Sequence, residues 1–569
     1  MLEKEKLTQQ ELDKLEIDPN IDFREIAKRP FEQISKNEIG MFKWSGVYHQ
    51  LQTGYFMLRL RIPGGIFNSI QLRKAAELSK QYGQNQLCIT TRQCLQYHWL
   101  RKEDIYKVIE EMKNVGILTT NACGDVVRNV TSCVGMGKCP YEKGNTERLV
   151  KKIADDRLYL VEKRNLPRKH KITVSGCNSS CGFNLINCQS WAPAEQNSGN
   201  KCSEPGWIYY AGGGLGKNPY MAKKIFDYVP ESLVPQVTAA GVEVHNLYGD
   251  RRIRSKARLK IIVDKYGHAG YAKLIFDILK KDGVSNLDKI IISENSNPEI
   301  QLDPFKGQSV LPEKNKELNT IRVMIDRSEL SSEEALFFAD LSDKYGDGTI
   351  TFSQRQNLQI NGVNTNNISK LTEKINLFGY RTTGFEHLPD VVSCVGTTVC
   401  NLAVADTPNA YKMIKETLAK NEQFVKAIGP LRININGCPN ACAHHWTADI
   451  GLRGRRLMVE EGCSEEAFSI YIGGKMHDKG KIGELLCDVP FKNLIPVLNA
   501  ILNVYMNYRV TSKELFCDFC ERITVDKFKN YLEHEKIACP SGFTSLENVS
   551  LNDNFNKIVS EAGENGYSR

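Results

Sequence analysis

No run of apolar residues in this sequence approaches the ~18 that a membrane-spanning helix needs. The first residues, from Met1 to Lys6, are charged and contain no apolar signal segment, so secretion is not expected. The 75 basic and 67 acidic residues give a net charge of +8, but the basic residues do not form the clustered stripe that nucleic-acid binding requires. We therefore expect a cytoplasmic protein with no membrane or nucleic-acid partner. Its mild positive charge suits an anionic substrate or an acidic protein partner.

Cysteine is too rare for a disulfide scaffold. The 18 cysteines are about 3% of the 569 residues, below the roughly 8–10% of such proteins. In a reducing compartment these thiols stay reduced, and their number points to metal binding. Some of them match no motif and are interpreted as scattered buried thiols: Cys88, Cys94, Cys123, Cys188, Cys202, Cys463, Cys487 and Cys539.

The sequence contains an internal duplication. The segment from Leu58 to Gly83 matches the segment from Ile321 to Gly346 at an offset of 263 residues. Each copy predicts a strand, a helix and a strand, and then a helix that starts near Glu103 or Asn367. A linker rich in Asn, Pro and Lys, from 294 to 316, separates the copies. At roughly 150 residues per domain, the length predicts three or four domains.

Cysteines recur with the same spacing in both copies, at an offset of 261 residues. The pattern is C-x5-C followed by C-x3-C, at Cys133, Cys139, Cys177 and Cys181 and again at Cys394, Cys400, Cys438 and Cys442. Four such thiols can converge at the ends of adjacent strands. Iron–sulfur clusters take thiolate ligands, whereas zinc with four cysteines usually has spacings of two to four residues. The spacing favours an iron–sulfur cluster and leaves zinc as the alternative.

The residues around these cysteines resemble the signatures of sirohaem-dependent sulfite and nitrite reductases. The matching motifs are Asn436-Gly437-Cys438-Pro439-Asn440-Ala441-Cys442 with 448–452, and the segments Asp125–Val130, Leu166–Lys171 and Met57–Gly65. The resemblance runs from about Phe42 to about Leu532 and includes the family's internal duplication. Asn436 departs from the signature, which usually has Ser, Thr or Val there.

This resemblance implies an α+β and α/β fold of three domains with pseudo-twofold symmetry. An N-terminal extension covers 1–48, and residues 49–120 plus 313–385 form paired ferredoxin-like half-domains. Residues 121–312 form the first α/β domain, and residues 386–569 form the second, which carries a [4Fe-4S] cluster. Within the α/β domains, the sequence predicts a strand, a glycine turn and a helix containing Val-Pro, at 229–230 and at 489–490.

The resemblance also implies the cofactors and the site residues. A [4Fe-4S] cluster would bind Cys394, Cys400, Cys438 and Cys442, and the Cys442 thiolate would bridge to the iron of sirohaem. Sirohaem carries eight carboxylates and its substrate is an anion, so cations must surround both. The substrate would be surrounded by Arg59, Arg128, Lys169 and Lys171. The macrocycle would be held by Thr90, Arg92, Gln96, Arg168 and Asn440.

The first cysteine set departs from the usual family pattern, in which the first repeat has lost its cluster ligands. Cys133, Cys139, Cys177 and Cys181 keep the full spacing, but the segment that follows, from Gly182 to Cys188, lacks the acidic residue found at Asp449. The sequence leaves open whether this set holds a second [4Fe-4S] cluster, is a redundant relic or binds another metal.

The function implied is six-electron reduction of sulfite to sulfide, or of nitrite to ammonia. Because no dinucleotide-binding or flavin motif is found, electrons would come from ferredoxin or a similar one-electron donor. Within the family, Lys at position 171 is typical of sulfite reductases and Asn of plant-type nitrite reductases, so sulfite is predicted. The alternatives are an iron–sulfur electron-transfer subunit without sirohaem and a structural zinc protein.

Overall fold

The computed structural model describes residues 7–18, 20–154, 165–194, 204–460 and 463–534. Cys202 and Cys539, two of the predicted scattered thiols, lie outside these ranges. Cys463 is exposed at the start of a strand, so the prediction that it is a buried thiol is wrong. None of the helices within them is long and apolar enough to cross a membrane. Three short helices come first, and they are α1 (Gln9–Glu16), α2 (Phe23–Lys28) and α3 (Lys36–Met41).

Two antiparallel five-stranded sheets follow from the duplicated segments. The first contains β1 (Val47–His49), β2 (Tyr55–Arg59), β4 (Leu87–Ile89), β5 (Leu95–Arg101) and β14 (Glu329–Leu330), in the order β1-β2-β5-β4-β14. The second contains β3 (Ile66–Asn68), β12 (Val310–Pro312), β13 (Leu318–Val323), β15 (Thr349–Phe352) and β16 (Leu358–Asn364), in the order β12-β13-β16-β15-β3. Each copy thus supplies an edge strand to the sheet of the other. Because β3 and β14 satisfy the backbone of the partner sheet, the two copies form one unit.

The helices of this unit begin where the sequence supplies caps. The two long helices, α4 (Ser69–Tyr82) and α9 (Ser332–Tyr345), each start at a capping box, Asn68 with Gln71 and Ser331 with Glu334. They pack against each other between the sheets, and Arg73 of α4 forms an ion pair of 2.6 Å with Asp343 of α9. The next helices, α5 (Ile105–Asn114) and α10 (Ile368–Leu377), begin within two residues of the predicted starts.

The first α/β domain has a six-stranded mixed sheet in the order β11-β10-β9-β8-β7-β6. Its strands are β6 (Thr131–Ser132), β7 (Ile172–Val174), β8 (Gln189–Pro193), β9 (Gly206–Ala211), β10 (Lys223–Pro230) and β11 (Ile291–Ile292). Its helices are α6 (Thr146–Ala154), α7 (Val234–Tyr248) and α8 (Leu259–Lys281). The strands β6, β7 and β8 are parallel, and the rest are antiparallel.

The second α/β domain repeats this arrangement in the order β17-β18-β19-β20-β21. Its strands are β17 (Val392–Ser393), β18 (Ile433–Asn436), β19 (Ile450–Glu460), β20 (Cys463–Ile472) and β21 (Glu484–Pro490). Its helices are α11 (Thr407–Thr417), α12 (Glu422–Ile428), α13 (Leu494–Tyr508), α14 (Phe516–Arg522) and α15 (Val525–His534). The strands β17, β18 and β19 are parallel, so the carboxyl ends of β17 and β18 meet at one edge of the sheet.

One local prediction is wrong. The pairs Val229-Pro230 and Val489-Pro490 end the strands β10 and β21 and do not lie inside helices. Proline lacks an N–H group and cannot continue a helical ladder, but it can end a strand before a turn. The helices α7 and α13 begin a few residues later, after a short 3₁₀ turn.

Candidate active site

Four cysteines converge at the carboxyl ends of β17 and β18. This C-terminal cysteine set consists of Cys394, Cys400, Cys438 and Cys442. Cys394 directly follows β17, and its sulfur accepts a hydrogen bond of 3.2 Å from the N–H of Gly437, which follows β18. Cys442 is the exposed member, and its charge acts on the other three thiols. The two loops therefore bring the four sulfurs within electrostatic reach of one another.

The C-terminal cysteine set is poorly suited to remain ionised without a metal. Burial raises the pKa of the Cys394 thiol to about 12 and that of Cys438 to about 11. Burial also raises the pKa of Cys400. Because the thiolate is the form that ligates metals, metal binding supplies the positive charge that these buried thiolates need.

Cations from the other half of the chain surround Cys442. Arg59 ends β2, and Lys169 and Lys171 precede β7. The Cys442 thiol acts electrostatically on all three of these side chains. Arg128 joins them, since its charge acts on Lys169. The structure thus brings together the four cations predicted to surround the substrate.

The two lysines have no carboxylate partner in the part of the chain that the structure describes. Burial lowers the pKa of Lys169 to about 7, and the nearby Arg168, Arg258 and Arg128 add to this effect. Burial also holds the pKa of Lys171 well below its usual value, with further repulsion from Arg92 and Lys169. Neither ammonium forms an ion pair or a side-chain hydrogen bond within the described residues. This is the electrostatic environment of an anion-binding site.

The arginines beside these lysines are held by neutral groups. In the amide orientation that satisfies both partners, the Gln96 oxygen accepts hydrogen bonds from Arg59 Nε at 3.1 Å and from Nη2 at 2.8 Å. Arg92 donates to the amide oxygen of Asn187 at 2.6 Å and to the carbonyl of Ile172 at 3.2 Å. Neutral acceptors therefore help to fix both guanidinium groups.

The remaining predicted macrocycle residues are placed differently. The Thr90 hydroxyl accepts hydrogen bonds from the N–H groups of Arg92 and Cys94, at 3.2 and 3.1 Å, and so shapes the turn after β4. Arg168 forms an ion pair of 3.2 Å with Asp125. Asn440 is exposed in the turn between Cys438 and Cys442. The structure therefore gives Thr90 and Arg168 structural partners in addition to the role predicted for them.

Comparison with known proteins agrees with this site. The family model described as the nitrite and sulphite reductase 4Fe-4S domain matches residues 123–281 and 386–539. A second, the nitrite/sulfite reductase ferredoxin-like half domain, matches 48–115 and 311–377. The chain belongs to the nitrite and sulfite reductase family. Members of this ferredoxin-dependent family bind sirohaem and a [4Fe-4S] cluster.

Curated relatives in the family carry both substrate names. A sulfite reductase [ferredoxin] of Mycobacterium tuberculosis is 28% identical over 90% of this chain and 90% of its own length. The assimilatory ferredoxin-dependent nitrite reductase of Haloferax mediterranei is 27% identical over 90% of this chain and 92% of its own. The solved structure of the NirA protein of M. tuberculosis superposes with a TM-score of 0.81 and 27% identity, over 92% of this chain and 97% of that chain. The predicted duplicated fold is confirmed.

The residues present fit the cofactors of the family. Four thiols from two loops match the ligand number of a [4Fe-4S] cluster. Beside them, the Nε of Arg258 and the amide oxygen of Asn434 are buried without a hydrogen-bond partner in the described part of the chain. The Nε of Arg258, together with Lys169 and Lys171, offers donors that suit a macrocycle that carries carboxylates.

The sequence interpretation missed two residues of this site. Arg258 is buried, and its charge lowers the pKa of both Lys169 and Lys171. The Thr91 hydroxyl donates a hydrogen bond of 2.6 Å to the carbonyl of Cys442 and ties the ferredoxin-like unit to the cysteine loop. Arg258 ends a basic segment, 251–258, that could have drawn attention. Nothing in the local sequence around Thr91 indicates its contact, because the partner is 351 residues away.

The N-terminal helix α1 contacts the two segments that carry the site cations. Asp125 is buried, and burial opposes its ionisation, but the charges of Lys14, Arg254 and Arg168 hold its pKa well below the usual range. Lys14 of α1 lies 3.5 Å from Asp125 and also donates to the carbonyl of Leu166 at 3.0 Å. The helix therefore fastens both motifs that carry the site cations.

The N-terminal cysteine set, Cys133, Cys139, Cys177 and Cys181, also converges. Its members line a single cavity at the carboxyl ends of β6 and β7. The sulfur of Cys133 accepts a hydrogen bond of 3.4 Å from the N–H of Gly176. Hydrogen bonding to Cys133 and Cys177 raises the pKa of the Cys181 thiol, so Cys181 lies beside both of these thiols.

Proposed function

We propose that this chain reduces sulfite to sulfide, with electrons delivered one at a time by ferredoxin or a similar carrier. The observation that carries the proposal is the group of uncompensated cations, Lys169, Lys171 and Arg59, that surrounds the exposed thiol of Cys442. An anionic substrate with several oxygens is the ligand that such a group stabilises best.

The C-terminal cysteine set would hold the [4Fe-4S] cluster, and Cys442 would also be a ligand of sirohaem. When bound, sirohaem supplies an iron that binds the substrate, and the cluster supplies single electrons to it. Arg92 and Arg168 would pair with carboxylates of the macrocycle, and Thr90, Gln96 and Asn440 would help to hold it. This assignment follows the family motif residue by residue.

The site cations hold the substrate oxygens and deliver protons. Arg59 and Arg128 keep their charge at any physiological pH and can clamp oxygen atoms. Lys169 has a pKa of about 7, which places its ammonium close to the ideal for a general acid at neutral pH. Each loss of an oxygen as water consumes protons, and Lys169 and Lys171 are the acids positioned to supply them.

Sulfite is favoured over nitrite by the number of charges at the site. Sulfite is largely a dianion with three oxygens, whereas nitrite is a monoanion with two. The ammonium of Lys171 adds a charge-assisted hydrogen bond on the order of 1–3 kcal/mol, and the dianion benefits more from it. Nitrite is expected as a second substrate, because relatives named for each anion are similarly identical to this chain.

The electron donor and the compartment follow from charge and from thiol chemistry. A chain with a net charge of +8 suits an acidic one-electron carrier such as ferredoxin. Thiolate cluster ligands require a reducing environment, so we place the enzyme in the cytoplasm. The other candidates, an electron-transfer subunit without sirohaem or a zinc protein, give no role to the retained cations Arg59, Arg128, Lys169 and Lys171.

The variant Lys171→Asn tests the substrate assignment. It removes one ammonium from the site and leaves Lys169, Arg59 and Arg128 in place. We expect kcat/KM for sulfite to fall by about ten-fold or more, consistent with about 1.4 kcal/mol per factor of ten, and kcat/KM for nitrite to fall less. Steady-state turnover with each anion and reduced ferredoxin measures both values.

A matched control is Lys370→Asn, which changes an exposed lysine on α10. It should leave both activities unchanged. An equal loss for both anions in Lys171→Asn, or a wild-type preference for nitrite in kcat/KM, would contradict sulfite as the substrate. An absorption spectrum without sirohaem bands would contradict the reductase assignment itself.

A further inference from the structure

The cavity of the N-terminal cysteine set is a second copy of the active-site cavity. Because the chain is duplicated, Arg322 and Arg355 correspond to Arg59 and Arg92 at an offset of 263, and Arg432 corresponds to Lys171 at an offset of 261. Arg322, Arg355 and Arg432 all line the cavity that contains the four N-terminal cysteines. We refer to this space as the second cavity. The fold thus places both sets of thiols opposite equivalent cationic positions.

The cations of the second cavity are balanced by internal carboxylates. The nitrogen–oxygen distances are 3.7 Å for Arg322 with Glu386, 2.7 Å for Arg355 with Asp390 and 2.9 Å for Arg432 with Asp449. The lysine that lines this cavity, Lys138, pairs with Asp347. Near Cys442, by contrast, Arg59 faces the neutral amide of Gln96, and Lys171 has no side-chain partner within the described residues.

The aligned sequences of the two copies show which single positions account for this difference in charge pairing. Asp449 corresponds to Cys188 in the first copy, and Asp390 corresponds to Asn129. The positions of Arg128 and Lys169 are occupied by prolines in the second copy, Pro389 and Pro430. The second cavity has therefore lost the charge that a ring with eight carboxylates requires. Phe305 and Asp303 of the segment between the two copies also line it.

The four cysteines that line the second cavity nevertheless share local features with the C-terminal cysteine set. The hydrogen bond from Gly176 to Cys133 repeats the one from Gly437 to Cys394, at 3.4 and 3.2 Å. The Ser179 hydroxyl lies 3.2 Å from the sulfur of Cys177 and 3.1 Å from that of Cys181. The 4Fe-4S domain model of the family matches both copies, at residues 123–281 and 386–539. The two loops have the same cysteine spacing as those of the C-terminal cysteine set and follow the equivalent strands β6 and β7.

We propose that the N-terminal cysteine set binds a second [4Fe-4S] cluster and that the second cavity takes no sirohaem. Four converging thiols provide the ligands of a cluster, while the paired arginines and the two prolines remove the charge that a tetrapyrrole needs. This inference goes beyond the proposed reduction of sulfite and does not depend on which anion is reduced.

The test is a metal and sulfide count on the full-length chain, purified without oxygen. We expect about nine iron atoms, about eight acid-labile sulfides and about one sirohaem per chain, since two clusters contribute about eight of the irons. Values near five iron, four sulfide and one sirohaem would overturn the proposal. A count near five iron with one zinc, or two sirohaems per chain, would also overturn it.

The paired substitution Cys133→Ser with Cys177→Ser assigns the ligands. We expect it to lose about four irons and about four sulfides while the sirohaem absorption remains. The matched control is Cys463→Ser, an exposed thiol at the start of β20 outside both cavities. Retention of about nine irons in the double variant would overturn the proposal. If the double variant does not fold, the count on the wild-type chain still decides between one cluster and two.

Discussion

A single position distinguishes Lys171 from Arg432, its counterpart in the second copy. In the second copy, Asp449 accepts hydrogen bonds from the N–H and the Nε of Arg432, both at 2.9 Å. Cys188 occupies the corresponding place in the first copy, and the charges of Arg258 and Lys171 lower the pKa of its thiol. The first copy has no acidic residue at this position, so Lys171 lacks the carboxylate partner that Arg432 has in Asp449.

The variant Cys188→Asp should therefore impair anion binding. A carboxylate at this position would pair with Lys171 and with Arg258, whose Nη2 lies 3.6 Å from the Cys188 sulfur. We expect the KM for sulfite to rise by about ten-fold, since a charge-assisted hydrogen bond is worth about 1.5–3 kcal/mol. Cys188→Ser, which is similar in size but neutral, should keep the wild-type KM. An unchanged KM in Cys188→Asp would show that Lys171 does not contact the substrate.

Cys442 carries the largest effect expected from one side chain. Cys442→Ser removes the thiolate that would bridge the cluster and the sirohaem iron. We expect six-electron turnover to be abolished while the fold survives in part, because Cys442 is exposed and not part of the core. Activity and the absorption spectrum report the loss, with Cys463→Ser as the control. A Cys442→Ser enzyme with wild-type activity and spectrum would refute the ligand assignment.

At the scale of elements, the N-terminal helix α1 stabilises the site motifs. The Lys14 side chain is 3% exposed and lies between Asp125 and Glu11. Lys14→Ala would leave two buried carboxylates with less compensation, and removal of one partner of a buried ion pair costs about 3–5 kcal/mol. We expect the free energy of unfolding to fall by about that amount in chemical denaturation.

The control for Lys14→Ala is Lys28→Ala on α2, where the lysine side chain is 77% exposed. Exposed ion pairs are worth about 0–1 kcal/mol, so the control should unfold like the wild type. Equal stability of the two variants would mean that Arg168 and Arg254 alone compensate Asp125. The helix α1 would then not stabilise the segments Asp125–Val130 and Leu166–Lys171.

At the scale of the whole molecule, buried neutral histidines make stability depend on pH. Burial lowers the pKa of His98 and of His245 to about 4 and that of His445 to about 3. In the unfolded chain these groups titrate near 6.5. Above that pH both states are neutral and stability is complete. As the pH falls from about 6.5 towards 4, the unfolded chain takes up protons that the folded chain does not, and stability is lost.

Thermal unfolding at pH 7.5 and pH 5 measures this effect. The wild-type Tm should be lower at pH 5, and His98→Gln should show a smaller drop because one titrating group is gone. His268→Gln, on α8, changes a half-buried histidine and serves as the control. A drop in His98→Gln as large as that of the wild type would mean that His98 is protonated in the folded chain.

The sequence by itself determined the duplication and the family, and it predicted the cluster ligands and the site cations. Repeats, loop spacing and short motifs are local, so C-x5-C, C-x3-C and the Leu166–Lys171 motif could be recognised without a structure. The predicted strand–helix–strand pattern was correct for the same reason. The prediction that helices contain Val229-Pro230 and Val489-Pro490 was wrong. An apolar pair beside a turn does not show locally whether it ends a strand or enters a helix.

Only the tertiary structure decided which cations have a carboxylate partner. Arg432 and Lys171 look equivalent in the aligned copies, and the pairing of Arg432 with Asp449 appears only when β18 and β19 lie side by side. The exchange of β3 and β14 and the place of Arg258 beside Lys169 likewise depend on contacts between residues far apart in the chain. Electrostatic free energy depends on distance and burial in space, and the order of residues along the chain does not contain either.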